Sequence, residues 1–185
     1  MAYDLFFHEE TDANWGRGDE APRPRALPMD FTTTERKTLK ILEPTTAAHA
    51  VNVVGWARSQ GIPAKLSHTA VYTPEDSTKY YEKGGSSIKP GRLDWHNVGR
   101  AFHIIIPPYP DGPPDLELYA RLGQYARSQG GEWLGDKPFK NSKGQTIYDT
   151  AHFEYHPGVD IATYRQSKLA ETEFAQAQKR ARRFT

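Results

Sequence analysis

Cysteine is absent from this 185-residue chain, which excludes disulfides, thiolate metal sites and cysteine nucleophiles and makes the fold indifferent to its redox compartment. A tightly held metal would therefore depend on His, Asp or Glu. Charge of one sign is also lacking: 24 Lys and Arg stand against 23 Asp and Glu, for a formal net charge of +1. Net charge therefore makes no case for nucleic acid as a partner. No apolar run approaches the roughly 20 residues of a membrane-spanning helix. With a mean hydropathy of −0.76 and 25% charged residues, the chain reads as well solvated.

What is present is a histidine pattern. Three of the seven histidines, His96, His103 and His152, fall in two short apolar stretches, and Asp149 stands three residues before the last of them. A catalytic zinc site needs three protein ligands, a fourth position for water, and a carboxylate to take the water's proton. His96 and His103 are seven positions apart. A straight strand would separate them by roughly 23 Å and a helix by about 10 Å, whereas ligands of one ion sit about 2.0–2.1 Å from it. The chain must therefore fold back between them, and Gly99 is the residue that permits the bend. Glu154, two positions past His152 on a strand, shares its face and is expected to hold that ring's other N–H. His156 is read as outside the site because Pro157 ends the strand, and His8 and His49 as structural.

Along the chain, residues 1–40 are rich in Gly, Pro and charge and read as an extended arm. Residues 41–157 read as the main domain, and residues 158–185 hold a C-terminal helix over 160–183 whose Arg180, Arg182 and Arg183 complement the helix dipole. Within the domain, Thr45 to Gln60 reads as a helix capped by Thr45 or Thr46, with Ala48, Val51, Val54 and Trp56 buried. Lys65 to Tyr72 alternates as a strand, and Thr73-Pro74-Glu75-Asp76 opens a helix running to Lys83. Ala101 to Ile106 is an apolar strand, Asp115 to Gln129 an amphipathic helix closed by Gly130-Gly131, Lys137 to Gln145 a polar loop, and Ile147 to Tyr155 the last strand. Helices mixed with a few strands, without βαβ alternation, indicate α+β.

These residues also carry a resemblance. His96-x-x-Gly99-x-Ala101, followed by Asp149-x-x-His152-Phe153-Glu154, resembles the M15 zinc peptidases, a family of D-Ala-D-Ala carboxypeptidases (VanY-like enzymes among them) and bacteriophage L-alanyl-D-glutamate endolysins. Gly130-Gly131-Glu132-Trp133-Leu134-Gly135-Asp136 is similar to a stretch of the endopeptidase branch, and Tyr72-Thr73-Pro74-Glu75-Asp76 with Tyr81…Gly84 to an upstream motif. The likeness spans roughly residues 48–157. It implies a small, mainly antiparallel sheet flanked by helices, in the Hedgehog/DD-peptidase-like fold, with Zn²⁺ on His96, His103 and His152 and Asp149 as general base. The implied substrate is the peptidoglycan stem peptide, cut by a monomer in the manner of an L-Ala-D-Glu endopeptidase.

Two positions depart from the family: His103 stands where it has an Asp ligand, and Tyr72 where it has a substrate-binding Arg. His68 and Tyr72 are the candidates to replace that contact, with Arg100 as an outside candidate. The alternatives are a D,D-carboxypeptidase of the same family, or a non-catalytic wall-binding or phage structural module that keeps the fold. The segment Met1–Glu10 does not read as a secretory signal. Synthesis in the cytoplasm, with holin-type release to the wall, is the matching expectation.

Overall fold

The computed structural model describes residues 30–67, 74–88 and 93–184. Helix α1, Thr33–Ile41, begins inside the stretch expected to be an irregular arm. Its start is a capping box: the Thr32 hydroxyl accepts from the Glu35 amide, and the Glu35 carboxylate accepts from the Thr32 amide at 2.9 Å. That pairing satisfies two amides that a helix start otherwise leaves open. Glu35 is itself buried, and its other oxygen accepts from the Leu66 amide and from Arg58. One carboxylate thus joins α1 to helix α2, Pro44–Ser59, and to strand β1, Lys65–Leu66.

The cap of α2 is Glu43, not Thr45 or Thr46: its carboxylate accepts from both threonine amides at 3.0 Å, and Pro44 takes the first helical position. The buried face is correspondingly His49, Ala50, Val53, Val54 and Ala57, with Ala48 exposed and Trp56 only partly covered. Helix α3, Pro74–Lys83, follows the sequence expectation. Strand β2, Ala101–Ile105, leads to helix α4, Leu116–Ser128, capped by Asp115 and ended at Gly130 with φ +79°.

Strand β3, Glu132–Trp133, comes next, then β4, Phe139–Lys140, and β5, Thr146–Ile147. The last two pair as a hairpin where a loop was expected. The Asn141 side-chain oxygen accepts from the amides of Lys143 and Gln145, so a polar run supplies its own turn. Strand β6 is His152–Glu154, and the C-terminal segment breaks into α5, Ile161–Arg165, and α6, Lys168–Phe184, with Ser167 capping the second through the Ala170 amide.

The principal sheet has the order β1-β2-β6-β3, antiparallel throughout. This is the expected α+β architecture. Phe102, Ile104 and Phe153 point from one face into a core completed by Val53, Val54, Ala57, Tyr119, Leu122 and Ala126. Tyr119 closes the end of β2, its hydroxyl donating to the Ile104 carbonyl and accepting from the Ile106 amide, each at 3.0 Å. No helix among the described residues is long and apolar enough to cross a membrane.

His49 lies in the core, stacked on Tyr155 with ring centroids 4.4 Å apart. Its Nε2 has no hydrogen-bond partner among the described residues. Burial pushes its pKa down to about 4. The folded state therefore binds fewer protons here than the unfolded chain between about pH 4 and 6.5, so His49 withdraws stability as pH falls through that window, by up to about 3 kcal/mol. Urea unfolding at neutral and mildly acidic pH should show this loss, and a His49→Gln chain should lose less over the same interval.

Candidate metal centre

β2 and β6 pair with Ala101 opposite Glu154, Phe102 opposite Phe153, and His103 opposite His152. Side chains alternate along a strand. The two phenylalanines therefore enter the core while both histidines and Glu154 share the other face.

His96 reaches that face from a tight turn, Trp95–Gly99. Asp94 and Asn97 hold the turn reciprocally, each side-chain oxygen accepting the other's amide at 2.9–3.0 Å, and the Asn97 side-chain amide donates to the Ser77 hydroxyl of α3. Gly99 makes the reversal with φ +77°. Its carbonyl accepts from the Glu43 amide at 2.9 Å, and a β-carbon there would lie 3.0 Å from that same nitrogen. The bend predicted between His96 and His103 is present, and it rests on Gly99.

The three imidazoles converge. Their centroids are 4.7 Å apart for His96–His103 and His96–His152, and 5.3 Å for His103–His152. One ring nitrogen from each lies within 4.8 Å of the others, and His96 and His152 are buried. His96 Nε2 faces His152 Nδ1 at 3.2 Å. Tetrahedral zinc with bonds of 2.0–2.1 Å separates its ligand nitrogens by about 3.3 Å, so this pair already has the spacing of two ligands of one ion. Three neutral imidazoles are a donor set that zinc accepts.

Asp149 stands beside this cluster, Oδ2 lying 3.7 Å from both His103 Nε2 and His152 Nδ1. Burial raises the acid's pKa, but the facing His103 and the charges of His152 and His96 outweigh it and hold the carboxyl at about 2. Glu154 Oε1 accepts from His152 Nε2 at 2.8 Å, as its place on the strand predicted. That contact places a proton of His152 on Nε2 and leaves Nδ1 facing the cluster.

Two substrate candidates, His68 and Tyr72, lie outside the described residues. Arg100 is committed elsewhere, which corrects its candidacy: its Nε and Nη2 donate to both oxygens of Glu173 on α6 at 2.8 and 2.7 Å, largely out of solvent. Sequence reasoning also missed neighbours of the site. Tyr80 and Tyr109 lie close enough to Asp149 that its charge, after burial, raises both phenols. Trp95 stacks on His156, and His156 bonds Glu154. The even spacing 152, 154, 156 was the available signal for His156; Pro157 argued against it.

No protein-family model and no curated protein matches the sequence. Solved structures do. The L-Ala D-Glu endopeptidase ChiX of Serratia marcescens superposes with a TM-score of 0.51 at 17% identity, covering 68% of this chain and 89% of that one. The chain shares its fold with that endopeptidase. Two others superpose more loosely. The vancomycin-resistance D,D-pentapeptidase VanY, in complex with Zn(II), gives a TM-score of 0.48 at 14% identity, covering 72% of this chain and 83% of its own. An L,D-carboxypeptidase, DacB, from Streptococcus pneumonia gives 0.46 at 21%, covering 73% and 72%.

Gly99→Ala tests the turn. The left-handed backbone and the 3.0 Å approach to Glu43 leave no room for a methyl, so the substitution should cost about 1–3 kcal/mol. Because the strain falls three residues from His96, zinc affinity should drop with it, as read by chelator competition alongside thermal melting. A Gly99→Ala chain with native stability would show that the turn is not held as described.

Proposed function

We propose that the chain is a zinc-dependent peptidase of the peptidoglycan stem peptide, of the L-Ala-D-Glu endopeptidase type. His96, His103 and His152 hold the metal, and Asp149 is the general base. The observation that carries this reading is the position of one ionised carboxylate 3.7 Å from two of three convergent imidazoles. The fold shared with an L-Ala D-Glu endopeptidase supports it, as does the placement of Glu132-Trp133 on a strand directly beside β6.

Zinc, when bound, supplies a Lewis acid that acidifies water and polarises the scissile carbonyl. Asp149, ionised at neutral pH, takes a proton from the attacking water at Oδ2 and returns it to the departing amine. Glu154 holds His152 with its Nδ1 lone pair directed at the centre. Tyr80 and Tyr148, both exposed, border the carboxylate in space and in sequence and offer the peptide a surface. The contact to the stem peptide's carboxylates is assigned, within this proposal, to His68 and Tyr72. A phage endolysin, released to the wall after synthesis, is the setting that suits such an enzyme.

Mass spectrometry of purified peptidoglycan after digestion should show new termini at the L-Ala–D-Glu bond. Termini after D-Ala instead would transfer the chain to the carboxypeptidase reading, and an unchanged wall would end the enzymatic one. Asp149→Asn should retain zinc and fold while turnover falls by about 10²-fold or more. Native turnover in that variant would place the base elsewhere.

A further inference from the structure

Glu154 has two oxygens, and only one is used by His152. The other, Oε2, meets His156 Nε2 at 2.9 Å, while His156 Nδ1 faces the Val159 carbonyl at 3.0 Å. A carbonyl oxygen only accepts, so Nδ1 must carry a hydrogen. The contact between Nε2 and the carboxylate also needs one proton, and it resides on the stronger base, the imidazole. His156 is therefore protonated on both nitrogens. Its surroundings agree: Trp95 covers one face with centroids 4.3 Å apart and planes 13° from parallel, as a cation favours.

Burial lowers the His156 pKa, but the Glu154 hydrogen bond and charge reverse the balance and raise it. Burial likewise raises the Glu154 pKa, and its bonds from His152 and His156 bring it down to about 2.

The partners close a circuit. Trp95 is bonded in sequence to His96, His96 Nε2 faces His152 Nδ1, His152 Nε2 reaches Glu154, Glu154 reaches His156, and His156 stacks on Trp95. Resting on the metal-centre reading above, we propose that His156 is a positioning residue of that centre. As a cation held between Trp95 and Glu154, it fixes the carboxylate, and through it the orientation of His152. A bystander histidine would need neither the second proton nor the bond to Glu154.

Two measurements test this. In the metal-free native protein, long-range proton–nitrogen spectra of ¹⁵N-labelled imidazoles at neutral pH should show His156 protonated on both nitrogens. A singly protonated His156 would overturn the proposal without any mutation. In the second, zinc affinity is read by chelator competition. His156→Phe keeps a ring on Trp95 but gives Glu154 no donor, and should bind zinc about 10–100-fold more weakly, the usual scale for losing an outer partner of a ligand. His156→Gln, which retains an N–H, should recover most of the loss. Native zinc uptake with an unaffected His156→Phe removes this inference alone, whereas a native chain that takes up no zinc removes the metal-centre reading with it.

Discussion

The pairing of β2 with β6 is the constraint on which the rest depends. In that register Phe102 and Phe153 meet inside the core while His103 and His152 meet on the opposite face. A slip of one residue would exchange the two faces, bringing the imidazoles into hydrocarbon and the phenylalanines to the site. The burial of two aromatic side chains therefore sets the separation of two candidate ligands. Asp149 and Glu154 follow from the same strand, one from the turn that enters it and one from its next outward position.

His96 depends on a different device. Its turn is held from three directions: by the Asp94–Asn97 exchange within it, by Ser77 from α3, and by the Glu43 amide from α2. Helix α6 backs this region. Arg100 and Tyr164 both bond Glu173, and Arg180 Nε donates to the Ile41 carbonyl at 3.0 Å. Trp95, Val98 and Ala101 pack with Tyr164 and Ala170 in a second small core behind the histidines. The C-terminal basic helix is thus, in part, a strap that stiffens the wall carrying His96.

The clustering of the three histidines was legible in the sequence because the segments that carry them are short. His96, Gly99 and His103 lie in one short segment, Asp149, His152 and Glu154 in another, and the strand period links the last two. What was not legible came from contacts between distant segments. Arg100 looked available because nothing near it in sequence reveals Glu173, which lies 73 positions away. His156 looked idle because Pro157 ends the strand, yet just past the end of β6 it still reaches Glu154 two places back. Glu43 was overlooked as a cap in favour of Thr45 and Thr46, although a Glu before Pro44 can accept from the next two amides. Thr32-x-x-Glu35 carried a readable helix start, masked by the Gly- and Pro-rich stretch before it. The hairpin over 139–147 rests on a single asparagine that closes its own turn, a signal too short to separate from a loop.

The claim beneath all of this is that three histidines from a turn and two paired strands bind one metal ion. X-ray absorption at the zinc edge, on protein loaded with one equivalent and freed of excess, tests it most directly. The account predicts three imidazole nitrogens at about 2.0–2.1 Å with one further light ligand, and loss of that signature in His152→Ala. Zinc that fails to bind, or that binds with fewer than three imidazoles, would contradict it.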